Sequence, residues 1–355
     1  MIHKNEPMIK LLKAAYNNPT QKFCYYGCNN NPQIAGALGF ELWDWTPQQT
    51  LNIEPYYWNT HTIALSLGCK PIFTSEGKEW IEPCISDVSQ IKDFIIPDVR
   101  NGRTGEILSI IEKMLLESNS DTLIRLPDIQ SPLGVAELMM GEALYMALLI
   151  NPEELHELLE KITTFIIKYI LEIQKVCGNR LNALCHPQNW YNEVGYYISD
   201  DTNSMVSPEM HIEFSVKYID RITEKCGPVL YHSCTWTPQY IENMKSVRNK
   251  KMINWSVGSS IDPAEIIKEM SGKVLLAPHI GANVHKEEGI TKLGLSLKDE
   301  YEVVKYFLDS LQENTTMYMN LHESLLEKKE ILIKIYNLFH EYGYSPQASL
   351  SMGIK

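Results

Sequence analysis

The chain has 355 residues, a formal net charge of −12 and the apolar and charged content of an ordinary globular protein. This acidic balance argues against nucleic acid as a partner, because a phosphate-binding surface needs clustered Lys and Arg. No apolar run reaches the ~18 residues of a membrane helix, the first residues lack a signal-peptide core, and the cysteines form no secreted framework. We therefore expect a cytoplasmic protein with reduced thiols and no membrane partner.

Stretches of strand composition alternate with stretches of helical periodicity from residue 120 onward. Before that point, "KFCYYGC" (22–28) and "KPIFTSEG" (70–77) also have strand composition. The later predicted strands cover 121–129, 181–187, 228–234, 251–257, 273–281 and 315–323. The predicted helices cover 134–150, 151–178, 207–227, 237–247, 262–272, 296–312 and 325–343.

This alternation predicts βα units and a parallel sheet. Six such units follow residue 120, and the two upstream stretches could complete a (β/α)8 TIM barrel in a single α/β domain. A doubly wound open sheet is the alternative, but no glycine-rich nucleotide-binding motif is present. We expect residues 1–75 to be an N-terminal segment of uncertain structure that is part of the barrel domain, and residues 76–355 to form the barrel itself.

The predicted strands end in unusually polar residues, and the carboxyl ends of barrel strands are where active sites lie. Three or four of these ends carry histidine, which is the best functional signal in the chain. The residues are Asp128, Gln130, His186, Gln188, Asn189, Trp190, Tyr191, His232, Cys234, Trp255, His279, Asn283, His322 and Glu323.

His232 and Cys234 stand two residues apart at the end of one predicted strand, so their side chains point the same way. Imidazole and thiolate are ligands that zinc favours, and a catalytic zinc keeps three protein ligands and one open position. His322, from the last strand, is the candidate for the third ligand. The alternative is that both are core residues, with Cys234 a small buried hydrophobe.

Several segments resemble the uroporphyrinogen decarboxylase superfamily, in the family's order. They are "IEPCISDVSQIKDFIIPDV", "DIQSPLGVAELMMGEALYMALLINPEELHELL", "ISDDTNSMVSPEMHIEF" and "VLYHSC". The resemblance implies a (β/α)8 barrel. No arginine precedes residue 60, whereas the decarboxylases themselves carry an arginine-rich segment there for the porphyrin carboxylates. The resemblance therefore points to the branch of zinc-dependent, corrinoid-linked methyltransferases.

That branch binds zinc through His-x-Cys and a distant Cys. His232 and Cys234 match the first two ligands, but "MYMNLHESL" has no cysteine, so His322 would substitute. Thr235 stands where the family usually has Gly, and His279 where it tends to have Asn.

The resemblance implies that zinc activates a thiol, which exchanges a methyl group with cobalamin on a corrinoid protein partner. In this interpretation Asp200, Asp201 and His279 are catalytic. The residues expected to contact the small-molecule substrate are Asn189, Tyr191, Tyr197, Trp236 and Asn283. Two alternatives stay open: a metal-free, decarboxylase-like lyase acting on a small carboxylic acid, and a binding relative without catalysis.

Overall fold

The computed structural model describes residues 15–20, 23–28, 50–51, 60–75, 77, 79–120, 122–125, 127–183, 195–234, 241–257, 261–286, 290–291, 293–321 and 323–343. The strands are β1 (Phe23–Cys28), β2 (Thr50–Leu51), β3 (Lys70–Phe73), β4 (Glu79–Glu82), β5 (Leu123–Arg125), β6 (Leu181–Asn182), β7 (Tyr196–Ser199), β8 (Val229–Ser233), β9 (Lys250–Ser256), β10 (Leu275–Ile280) and β11 (Thr316–Leu321).

Helices lie between most of these strands. They are α1 (Thr62–Ser66), α2 (Gln90–Asp93), α3 (Gly102–Glu117), α4 (Pro132–Met140), α5 (Ala143–Ile150), α6 (Pro152–Cys177), α7 (Pro208–His211), the π-helical turn Ile212–Val216, α8 (Lys217–Cys226), α9 (Ile241–Ser246), α10 (Pro263–Met270), α11 (Glu300–Ser310) and α12 (Lys329–Glu341). The protein is thus a mixed α/β structure, as its alternating pattern predicts.

The main sheet is parallel and has six strands in the order β1-β11-β10-β9-β8-β7. Its inner strands are buried on both faces, as expected for a parallel sheet covered by helices. Trp255 on β9 and Tyr231 on β8 are among the largest fully buried side chains. The core therefore surrounds the strands whose carboxyl ends carry the polar residues of interest.

A second parallel sheet has the order β2-β5-β6. One isolated parallel bridge, between Gln130 and Ser199, links the segment after β5 to β7 of the main sheet. Within the described ranges no ladder closes the two sheets into a complete barrel. The parallel α/β architecture is confirmed, whereas the closed eight-stranded ring stays a prediction.

The stretch "KPIFTSEG" does not supply a barrel strand. Its residues 70–73 form β3, which pairs in antiparallel fashion with β4 as a hairpin. All four residues of β3 are exposed, whereas a barrel strand is buried on both faces. The apolar composition of this stretch therefore predicted a strand correctly, but the strand lies in a two-stranded hairpin and not in the main parallel sheet.

The predicted helix over 134–150 is two helices, α4 and α5, bent by 118° at residues 141–142. Gly141 lies between them with φ of 57°, a left-handed conformation that glycine adopts at low cost and that ends a helix. No single helix among the described residues is long and apolar enough to cross a membrane.

Helix α6 begins and ends where its sequence predicts. Pro152 occupies the first turn, and Gly178 follows the last residue with φ of 54°. Asn151 precedes the helix, although its side chain makes no capping hydrogen bond. The apolar face of α6, including the fully buried Phe165 and Ile166, packs against α3, α4 and α8, and each such side chain stabilises the fold by ~1.5–3 kcal/mol.

A candidate metal centre at the ends of β7 and β8

The carboxyl ends of β7 and β8 bring an acidic pair beside the His-x-Cys pair. Ser199 of β7 is in register with His232 of β8. The backbone N–H of Asp200 donates to the His232 carbonyl at 2.9 Å, which extends the ladder by one residue. The backbone N–H of Cys234 then donates to Asp201 Oδ1 at 2.6 Å. Two adjacent strands thus place Asp201, His232 and Cys234 together.

The ligand atoms of these three residues lie within 4.8 Å of one another. His232 Nε2 is 3.1 Å from Cys234 Sγ. His232 is buried, Asp201 is half-buried and Cys234 is exposed, so the group opens toward solvent on the Cys234 side. One imidazole nitrogen, one sulfur and one carboxylate oxygen form a donor set that zinc accepts, with room for a further ligand.

The orientation of His232 is fixed by the neighbouring strands. Its Nδ1 lies 2.6 Å from Asn254 Oδ1 on β9, and Asn254 Nδ2 donates to the Ala277 carbonyl on β10 at 2.6 Å. Because that amide nitrogen is already donating to a carbonyl, Asn254 presents its oxygen to His232, which must carry its proton on Nδ1. The Nε2 lone pair therefore faces Cys234 and Asp201. Metal-binding histidines are held in this way.

The Cys234 thiol is disfavoured as a thiolate while no cation is nearby. Loss of hydration, together with the Asp201 and Asp128 carboxylates, raises its pKa to about 12. Cys234 itself is exposed, so the two carboxylates are the main obstacle to its ionisation. A divalent cation would reverse this balance, since a coordinating thiol is deprotonated. The donor set thus fits a metal ion on its own chemistry.

Asp200 faces away from this group into a fully buried network. Its carboxylate accepts hydrogen bonds from His211 Nε2 and Tyr231 Oη, both at 2.7 Å, and from Ser215 Oγ at 2.9 Å. Asn243 Nδ2 lies 3.1 Å from His211 Nδ1 and donates to it, so the proton of His211 is on Nε2. Burial raises the pKa of Asp200, but His211 and the hydroxyl donors outweigh it, so the pKa lies below its ordinary value.

Asp128 is a residue that the sequence marked only as a polar strand end. Ser131, which caps α4 through the Gly134 N–H, and the Gln130–Ser199 bridge hold its segment beside β7. Ser199 Oγ donates to Asp128 Oδ1 at 2.7 Å. Burial raises the pKa of Asp128 to about 6, against the opposing effects of Ser199 and His232. A buried carboxyl that titrates near neutrality beside a candidate metal centre can hold or release a proton.

Three of the other predicted site residues lie within the described ranges. Tyr197 is buried and stacks on His232, with ring centroids 5.8 Å apart. His279 lies half-buried near the end of β10, in register with Ser256, and is not one of the three clustered donors. Asn283 accepts a hydrogen bond from Lys328 Nζ at 2.8 Å through Oδ1. The remaining predicted residues lie outside the described ranges: Asn189, Tyr191, Trp236 and His322.

No family model matches the chain. No curated protein matches it in sequence. The solved structure of a methyltransferase from Methanosarcina mazei matches at a TM-score of 0.60 and 12% identity, covering 94% of this chain and 99% of that one. At this identity the likeness is one of fold.

Two further solved structures match more weakly. A B12-independent methionine synthase from Shewanella sp. W3-18-1 matches at a TM-score of 0.41 and 9% identity, covering 87% of this chain and 85% of that one. Bee venom hyaluronidase matches at 0.39 and 7% identity, covering 93% and 98%.

Proposed function

We propose that this protein is a zinc-dependent methyltransferase that moves a methyl group between the corrinoid of a partner protein and a small thiol or methylated molecule. The observation that carries the proposal is His232, with its Nε2 lone pair fixed by Asn254 and directed at a thiol 3.1 Å away. The fold of the methyltransferase from Methanosarcina mazei supports the same reading. The match of the His-x-Cys pair in "VLYHSC" to the first two zinc ligands of the corrinoid-linked branch supports the cofactor assignment.

In this proposal Asp201, His232 and Cys234 hold the ion. His322 remains a prediction for a further ligand from the last strand. Zinc, when bound, lowers the pKa of a thiol substrate so that it is held as a thiolate nucleophile. The protein's own side chains orient these ligands and handle the proton. Asn254 and Tyr197 fix the ring of His232, and the Asp200 network fixes the turn that presents Asp201.

Asp128 takes the proton in this scheme. Its raised pKa lets it accept a proton from an incoming thiol near neutral pH and return it to solvent. Ser199 keeps the carboxyl oriented through its hydrogen bond. Asp200, which was predicted to be catalytic, is not suited to accept this proton, because its carboxylate is fully enclosed.

Two wider features belong to the same proposal. We infer that the two parallel sheets belong to one barrel of the (β/α)8 type, with the Gln130–Ser199 bridge as a contact between them. We also infer a cytoplasmic location, which the free thiols of the described cysteines support.

The test is metal content, followed by methyl transfer. Untagged protein purified with zinc should hold about one ion per chain by mass spectrometry, and Asp201→Asn and Cys234→Ser should each lose most of it. Cys177→Ser is the matched control, since it removes a buried thiol on α6, and it should keep the metal. Zinc-loaded protein should then demethylate methylcobalamin in the presence of small thiols.

A single observation favours a second candidate function. A buried carboxyl with a pKa of about 6, as at Asp128, could protonate the carbanion left by decarboxylation of a small acid. Release of carbon dioxide by protein that holds no zinc, with loss of turnover in Asp128→Asn, would favour this lyase. Ligand binding without metal or turnover would overturn both enzymatic readings.

A further inference from the structure

Two cysteines stand side by side at the base of the exposed β3–β4 hairpin. Cys69 comes directly before β3 and Cys84 shortly after β4, and both are free thiols. Their sulfur atoms are 3.2 Å apart. A disulfide bond is ~2.05 Å long, so the two sulfurs need to approach by only about 1 Å.

Backbone hydrogen bonds hold the two cysteines close together. The hairpin pairs Lys70 with Glu82, which brings the residues just outside it together. The backbone N–H of Cys69 donates to the Ala64 carbonyl at 3.0 Å, and that of Cys84 donates to the Met139 carbonyl at 2.9 Å. The pair is therefore anchored to α1 on one side and to α4 on the other.

The two thiols are not equivalent. Cys69 is 5% exposed, whereas Cys84 is half-buried and reachable from solvent. The Cys69 S–H donates to the Cys84 sulfur, and this hydrogen bond lowers the pKa of Cys84 and raises that of Cys69. Exposure and hydrogen bonding thus agree that Cys84 is the attacking thiolate and Cys69 the resolving thiol.

We propose that Cys69 and Cys84 form a redox-active dithiol, which closes to an intramolecular disulfide by exchange with small disulfides of the glutathione class. Cys84 Sγ attacks one sulfur of the small disulfide, forming a mixed disulfide and releasing one small thiolate. Cys69 Sγ then attacks Cys84 Sγ and releases the second. The dithiol loses two electrons and two protons, and the small disulfide gains them as two thiols.

Other described cysteines provide controls within the same chain. Cys177 and Cys226 are buried, and burial raises the pKa of each to about 12. A thiol whose pKa is three units higher than that of another thiol has about a thousandth of its thiolate at the same pH. The greater intrinsic nucleophilicity of the less acidic thiol recovers only part of this difference. We therefore expect Cys84 to exchange at least about 30-fold faster than Cys177. The dithiol shares no residue with the candidate metal centre, and neither proposal depends on the other.

The experiment places the full-length protein in buffers of graded oxidised-to-reduced glutathione ratio, followed by acid quenching, alkylation and peptide mass spectrometry. A peptide pair joined through Cys69 and Cys84 should appear, with both residues protected from alkylation to the same extent. Cys69→Ser should accumulate glutathione on Cys84, whereas Cys84→Ser should leave Cys69 unmodified.

Two results would overturn the proposal. One is wild-type protein that accumulates glutathione on Cys84 without forming the internal bond. The other is a Cys84 that reacts no faster than Cys177. Both results are measured on the wild-type protein, so the test does not depend on whether a variant folds.

Discussion

Asn254 gives the sharpest test of the candidate metal centre, because it touches His232 without being a ligand. Asn254→Ala removes the acceptor for His232 Nδ1–H and the donor to the Ala277 carbonyl. Removing the side chain that hydrogen-bonds to a metal-binding histidine typically weakens metal affinity by ~10–100-fold. The apo protein should also lose roughly 1–3 kcal/mol of stability for each buried group left without a partner.

A second variant at the same position separates the two effects. Asn254→Asp keeps an acceptor for Nδ1–H but cannot donate to the Ala277 carbonyl. We expect its zinc affinity to stay within about threefold of wild type or to increase, since carboxylate acceptors raise the basicity of a histidine ligand. Its apo stability should fall as that of Asn254→Ala does.

The assay is zinc competition with a chromophoric chelator, beside urea unfolding in excess chelator. Ser271→Ala is the control for stability, because it removes a buried hydroxyl that bonds Thr315, which directly precedes β11 at the amino-terminal ends of the strands, opposite the candidate centre. It should lower stability and leave zinc affinity unchanged. Wild-type zinc affinity in Asn254→Ala would refute the reasoning that the Asn254 amide sets the His232 tautomer.

Two further predictions concern the carboxylates. Burial raises the pKa of Asp128 to about 6, from an unfolded value of ~3.9. The folded protein therefore loses stability progressively as the pH rises from about 4 to about 6, and the loss reaches ~3 kcal/mol above pH 6. Asp128→Asn should therefore be more stable than wild type at pH 8 and equal to it at pH 4 in urea unfolding with chelator; equal stability at pH 8 would contradict this. Tyr231→Phe should cost about 1.5–3 kcal/mol, since its hydroxyl bonds the buried Asp200 carboxylate, whereas Tyr196→Phe should cost about 1 kcal/mol, since its hydroxyl bonds neutral groups. Equal losses in chemical denaturation would argue that Asp200 is not charged in the folded protein.

Local signals predicted much of the fold. Pro152 and Gly178 delimit α6 because capping and helix termination depend on a few neighbouring residues. The strand containing His232 was predicted for a similar reason, since a short apolar run ends there. By contrast, β7 was not predicted, because "YYIS" is only four residues long. The sheet partner of "KPIFTSEG" depends on contacts that no local pattern encodes.

The candidate site shows the same division. His232 and Cys234 were predicted together because their spacing places them on one face of a strand. Asp201 was expected nearby as an acid, but its place beside the Cys234 thiol follows from the register of β7 against β8. Likewise, Asn254 could not be linked to His232 before β9 was known to pair with β8.

Asp200 and Asp201 are chemically identical neighbours with opposite surroundings, one enclosed by the core and one at the candidate centre. Their difference comes from the alternation of β7, which continues one residue further through the Asp200 N–H bond to the His232 carbonyl. A one-residue slip of β7 against β8 would exchange the two environments, because alternate residues face opposite sides of a sheet. The centre should therefore tolerate changes of residue type in β7 more readily than a single insertion between Ser199 and Asp201. Such an insertion would keep every ligand residue in the chain but would separate their donor atoms in space.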